Sequence, residues 1–276
     1  MTVGICGLGL IGGSMAKAYK ENGHTVFAYD IDEATLGYAT ISGMIDGELT
    51  EKSINQCELI FVALYPEATI KYLSKIAPIV SKSTVVMDLC GTKTTVCECG
   101  FALAQKYGFT FVGGHPMAGK QFSGIKHAKA SLFKGAPMVI VPPIYDDISF
   151  LDRIKKLLEP AGFGKLSVTT AEKHDTMIAF TSQLAHIVSN AYVKSPTAQD
   201  HKGFSAGSYK DLTRVAWLNE NMWTELFIEN KEPLLFELDY IINSLNEYKT
   251  AIANDDADTL KKLLRDGRIA KEKVDG

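Results

Sequence analysis

His115 stands in the segment Gly113-Gly114-His115-Pro116-Met117-Ala118-Gly119, directly after the apolar run Phe109–Val112. An imidazole titrates near neutrality, so a His held at the end of a strand is suited to taking a proton from a bound ligand. The plainer role for such a residue is capping backbone groups in a loop. A second constellation lies at the start of the chain, where Gly7-Leu8-Gly9-Leu10-Ile11-Gly12 fits the spacing G-x-G-x-x-G. It follows the apolar run Thr2–Cys6 and opens a helical pattern, Gly13–Asn22. In that setting the first glycine makes a tight turn, the second lets backbone approach a pyrophosphate, and the third allows a helix to pack closely on a strand. The helix start then offers unpaired N–H groups to the anion. Asp30 ends the next apolar run, 18 residues past Gly12. A carboxylate there accepts hydrogen bonds from ribose hydroxyls and repels a 2′-phosphate. The residues that follow are Ile31 and Asp32 rather than an arginine. The cofactor expected from this pattern is NAD, not NADP.

These residues need a scaffold. Thr2–Cys6, Thr25–Tyr29, Leu59–Leu64, Thr84–Asp88, Phe109–Val112 and Pro137–Val141 read as strands, with helical patterns such as Glu67–Ala77 and Thr94–Tyr107 between them. This alternation is that of a parallel sheet with crossover helices. A further helix near Ile148–Glu159 and a short strand near Lys165–Thr169 complete this half. Beyond Ala171 strand signals stop, and Ala171–Val193, Tyr209–Asn219, Asn221–Ala253 and Asp256–Lys271 all read as helices. The fold class expected is α/β, with a Rossmann-type dinucleotide-binding domain over 1–170 and an all-helical substrate and dimerisation domain over 171–276. Between Leu234 and Tyr248 apolar residues cover more than one helical face. A stripe that wide calls for burial on several sides, and a homodimer through the helical half would supply it.

Composition excludes several classes. The chain has 276 residues, with Lys+Arg 29 against Asp+Glu 32 and a net charge of −3, so it has no basic excess for a nucleic-acid backbone. No apolar run approaches the roughly 20 residues needed to span a bilayer. The five cysteines all lie within the first hundred residues, without a C-x-x-C pair. Free thiols in a reducing cytoplasm fit that pattern better than a disulfide framework, and no metal-ligand spacing is present.

Taken together, GLGLIGGS, Asp30, GGHPMAG, SQLAH and KDLTRVAWLNENMW resemble the prephenate dehydrogenase family of tyrosine biosynthesis, from residue 2 to about 250. The resemblance implies NAD-dependent oxidative decarboxylation of prephenate to 4-hydroxyphenylpyruvate. Arogenate, converted to tyrosine, is the alternative substrate. A related β-hydroxyacid or imine dehydrogenase and a non-catalytic NAD sensor are more distant alternatives. It further implies that His115 receives the proton of the ring C4 hydroxyl, that Arg214 holds the ring carboxylate, and that Trp223 and His186 face the substrate. Gly207 and Lys210 fall at positions near the pocket in relatives. Ser182 and His186, four apart, share a helix face, as do Lys210 and Arg214. Three departures stand out. Gly91 occupies the place of a family serine in Asp88-Leu89-Cys90-Gly91-Thr92-Lys93, so Thr92 becomes the nearest hydroxyl. Gln121 replaces a glutamate that many members carry, which removes an ionisable group opposite Arg214. Leu184-Ala185-His186 lacks the family proline, so a less kinked helix is expected.

Overall fold

The computed structural model describes residues 1–119 and 122–275. It forms two compact units, Met1–Asn230 and Lys231–Gly276. The first is built on an eight-stranded sheet with the order β3-β2-β1-β4-β5-β6-β7-β8. Its strands are β1 (Thr2–Cys6), β2 (Thr25–Tyr29), β3 (Gly47–Glu48), β4 (Leu59–Val62), β5 (Val85–Asp88), β6 (Thr110–Pro116), β7 (Pro137–Val141) and β8 (Lys165–Val168).

Successive residues of these strands feed two separate cores. Leu59 and Phe61 of β4 belong to one, Ile60 and Val62 to the other. Both faces are therefore apolar, as a parallel sheet covered on both sides requires. One face carries α1 (Leu10–Glu21) and α6 (Ile148–Leu158), joined by the Tyr19 hydroxyl, which donates to the Leu157 carbonyl at 2.6 Å. The other carries α3 (Glu51–Ile54), α4 (Pro66–Ile76) and α5 (Thr94–Tyr107). Helix α2 (Glu33–Ile41) is capped by Asp32, whose side chain accepts from Ala34 and Thr35 N–H. Strand order reverses between β1 and β4, which opens a ligand crevice at their carboxyl ends.

Two expectations change here. The sheet is parallel only as far as β6, because β7 runs antiparallel to it. The connection from β6 to β7 contains only short 3₁₀ turns among its described residues, not a crossover helix, so the chain reverses direction. The same pairing extends β6 beyond Val112. His115 lies inside the strand, opposite Val139, and not in a loop after it. Gly113 and Gly114 are likewise strand residues. A Cβ on Gly114 would lie 2.7 Å from the Asp88 carbonyl oxygen and 2.8 Å from Met138 Cε.

After β8 come α7 (Ala171–Ile178), a π-helical turn (Ala179–Leu184), α8 (Ala185–Tyr192), α9 (Gly207–Thr213) and α10 (Glu220–Glu229). Chain compactness thus divides after Asn230, whereas strand content stops at residue 168. The single helix expected over Asn221–Ala253 is two. Asn230 caps α10 in a non-helical conformation while its amide donates to the Asp175 carbonyl and to Gln183 Oε1. The second unit is α11 (Lys231–Ala253) and α12 (Ala257–Asp275), which pack on each other. On α11, Phe236, Tyr240, Ile242 and Leu245 are exposed in the single chain.

Replacing Gly114 by Ala forces a methyl group against the β5 backbone. This is expected to destabilise the protein by about 1–3 kcal/mol in urea denaturation.

Candidate active site

The glycine loop is shaped as its spacing requires. Gly7 has φ +88°, and a Cβ on Gly12 would sit 1.8 Å from the Gly7 carbonyl oxygen. Among the described residues, no atom lies within 4 Å of a would-be Cβ on Gly9. Gly9 is also the N-cap of α1 and supplies no side-chain cap, so the first N–H groups of the helix, from Leu10, Ile11 and Gly12, are left for an anion. Asp30 closes the other side of the loop. Its carboxylate accepts Leu8 N–H at 2.6 Å and Asp32 N–H at 2.9 Å. These residues fit a dinucleotide: open backbone for the pyrophosphate, and a fixed carboxylate where a ribose would lie.

His115 is partly exposed at the carboxyl end of β6. Its Nδ1 lies 2.8 Å from Nε2 of His174, whose own Nδ1 lies 2.7 Å from Asp175 Oδ1. The Asp175 carboxylate also accepts from Lys93 N–H at 2.7 Å, Thr94 N–H at 2.8 Å and the Thr94 hydroxyl at 2.6 Å. It thereby caps the N-terminus of α5 from a different part of the chain. Burial alone would push this carboxyl up, but the hydrogen bonds from His174 and Thr94 outweigh it and hold it below the usual range. Burial depresses both imidazoles. For His115 the neighbouring His174 and Lys93 add to the effect, and His115 ends well below its ordinary value. It is neutral near pH 7 and able to accept a proton.

Lys93 is fully buried and ion-paired with the equally buried Asp88, which also accepts Gly114 N–H at 3.3 Å. The pair sets the strand that carries His115 beside the turn that begins α5. The Thr92 hydroxyl is already committed, donating to Glu229 Oε2 at 2.7 Å, and burial raises the Glu229 carboxyl. Gly91 faces Leu226, whose methyl carbons would lie 3.3 Å from a Cβ there.

The helical residues form a second cluster. The His186 ring lies 4.0 Å from the Trp223 ring, centroid to centroid, and its Nδ1 donates to the Ser182 carbonyl at 2.8 Å. Burial lowers its pKa most; the bond to the Ser182 carbonyl opposes this, and the charge of Arg214 adds to the lowering. Arg214 is exposed at the end of α9, and no carboxylate among the described residues lies within salt-bridge distance, Asp211 included. Lys210 and Gly207 are exposed on the same helix. Gln121 lies outside the described residues. The expected regular helix through Ala185 is instead interrupted by the π turn just before it, a feature common at functional sites. Gln183, in that turn, donates to the Leu226 carbonyl at 3.0 Å and accepts from Asn230 at 2.7 Å. A buried polar chain thus runs from the Asp175 backbone carbonyl through Asn230 to Gln183 in the π turn and on to the Leu226 carbonyl. His115 and Arg214 make no direct contact with each other in the single chain.

Residues 15–166 match the family model for the prephenate dehydrogenase nucleotide-binding domain, and residues 170–266 that for the prephenate dehydrogenase dimerization domain. The chain belongs to the prephenate dehydrogenase family. It is 30% identical to the prephenate dehydrogenase of Bacillus subtilis, over 100% of this chain and 76% of that one. Among solved structures it resembles the Aquifex aeolicus prephenate dehydrogenase in complex with hydroxyphenyl propionate and NAD+, with a TM-score of 0.85, 26% identity and coverage of 99% and 98%. It also resembles the Synechocystis arogenate dehydrogenase, with a TM-score of 0.81, 28% identity and coverage of 99% and 100%. For a prephenate dehydrogenase, the groups that sequence reasoning missed are His174, Asp175, Lys93, Asp88 and the Gln183–Asn230 pair. The adjacent His174-Asp175 on a helix, and Asp88 and Lys93 flanking the glycine turn after an apolar strand, were the available signals.

Replacing Lys93 by Met leaves Asp88 buried without its partner. A loss of about 3–5 kcal/mol in chemical denaturation is expected, and the double variant Asp88→Asn, Lys93→Met should lose less than that.

Proposed function

We propose that this protein catalyses the NAD-dependent oxidative decarboxylation of prephenate to 4-hydroxyphenylpyruvate in tyrosine biosynthesis. The observation that carries this reading is His115: a neutral imidazole, tied on its Nδ1 side to a buried partner, on the strand end that faces the sheet's ligand crevice. The Gly7–Gly12 loop and Asp30 would hold NAD, which would supply a hydride acceptor for C4 of the substrate ring. His115 Nε2 takes the C4 hydroxyl proton as the C–O bond becomes a carbonyl. His115 then returns that proton to the phenolate oxygen formed when carbon dioxide leaves and its bonding electrons make the ring aromatic. Arg214, without a carboxylate partner among the described residues, supplies a planar fork for a substrate carboxylate. The closely packed, mutually tilted rings of His186 and Trp223, with Ser182 bonded to His186 through its carbonyl, form a wall for the ring, and Lys210 adds positive charge one turn before Arg214. Gln121 is the neutral counterpart of a charged gate. Thr92, held by Glu229, is the hydroxyl next to Gly91, which packs against Leu226.

The first 170 residues serve the dinucleotide and residues 171–276 serve substrate and assembly. The working unit is a homodimer, supported by the match to the family's dimerization domain and by the apolar face of α11. A cytoplasmic location is supported by five free thiols. Arogenate is the second reading, favoured by the likeness to the Synechocystis enzyme.

Purified protein is assayed with each pairing of NAD or NADP with prephenate or arogenate, following reduced-cofactor absorbance. NAD with prephenate is expected to be fastest, and faster turnover of arogenate would transfer the assignment to that substrate. His115→Asn should lower kcat by on the order of 10²–10⁴ with KM little changed. Arg214→Ala should instead raise the KM for prephenate by roughly 10–100-fold, the worth of a charged hydrogen-bonded pair, with kcat within a few-fold.

A further inference from the structure

His115, His174 and Asp175 form one hydrogen-bonded line that ends at the N-terminus of α5. We propose that His174 and Asp175 are positioning residues that impose the Nδ1–H tautomer on His115 and receive, as positive charge, the proton that His115 Nε2 takes from the substrate. The inference rests on the reading of His115 as the base.

The tautomers follow from counting donors. Asp175 is ionised and accepts only. Oδ1 takes Lys93 N–H and His174 Nδ1, while Oδ2 takes the Thr94 N–H and hydroxyl. His174 Nδ1 must therefore carry its proton. A neutral His174 then has a bare Nε2, which can only accept, so the hydrogen across the 2.8 Å contact belongs to His115 Nδ1. That leaves His115 Nε2 with a lone pair and, among the described residues, no hydrogen-bond partner. The base is held in the one form that can take a proton at Nε2.

The same line conducts charge. When Nε2 of His115 gains a proton, its Nδ1 proton moves to His174 Nε2. His115 is then neutral again, and His174 is a cation against Asp175. One proton enters, one is passed on, and none is lost. The charged groups around the rings favour this end point. Lys93 repels a cation on either ring, and Asp88 is already paired with Lys93. Glu229, which senses both Asp175 and Lys93, is bonded to Thr92. Asp175 is the one carboxylate bonded to either imidazole among the described residues, and it touches His174, not His115.

Two measurements on the full chain with NAD bound test this. The first is the ¹⁵N spectrum of labelled histidines at pH 8. Both His115 and His174 should show a protonated Nδ1 and an unprotonated Nε2. This needs no substitution and no turnover. The second is His174→Gln, whose amide oxygen still accepts the His115 Nδ1–H bond but takes no proton. The variant should lose on the order of 10²-fold in kcat, keep KM within about twofold, and shift the acid limb of kcat to lower pH, because His115 alone then bears the charge. A protonated Nε2 on His115, or a His174→Gln enzyme with wild-type kcat and acid limb, overturns the relay. A wild-type enzyme inactive on both prephenate and arogenate overturns the base assignment beneath it.

Discussion

One carboxylate holds the candidate site of this protein together. Asp175 comes from the first helix after the sheet, yet its oxygens cap the start of α5, which belongs to the sheet. Without it, two backbone N–H groups of α5 would lose their partner and His174 would lose its anchor. An unsatisfied buried donor costs about 1–3 kcal/mol, so the arrangement is fixed thermodynamically as well as sterically. On the role proposed for His115, stability and catalysis would draw on the same four hydrogen bonds.

The surroundings of that carboxylate are polar but closed. Lys93 and Asp88 neutralise each other in a fully buried pair, Gln183 and Asn230 satisfy each other and two backbone carbonyls, and Thr92 satisfies Glu229. Buried networks of this kind are stabilising only when complete. These bonds tie α7, the π turn and α10 to the turn that begins α5.

The parts of the fold written in local chemistry were legible from the residues alone. The glycine loop, β1, β2 and Asp30 follow from turn geometry and alternation within some thirty residues. His115 was recognisable by its own neighbours, but its setting was not. The strand that holds it extends to Pro116 only because β7, more than twenty residues on, pairs antiparallel with it. Asp88, Lys93, His174 and Asp175 meet across separations of up to 82 residues. No period or spacing announces such a meeting. The break at Asn230 did carry a local signal: Pro233 lacks an N–H and suits the first turn of a new helix rather than the interior of a continuous one.

The antiparallel ladder between β6 and β7 has a mechanical consequence. A histidine on a loop swings with the loop, whereas His115 is stitched between Gly114 and Pro116 in register with Met138, Val139 and Ile140. The imidazole is thus a stationary post. On the role proposed for His115, the motion that admits a substrate and releases its products is left to other parts of the chain, around an imidazole whose backbone is held in the ladder.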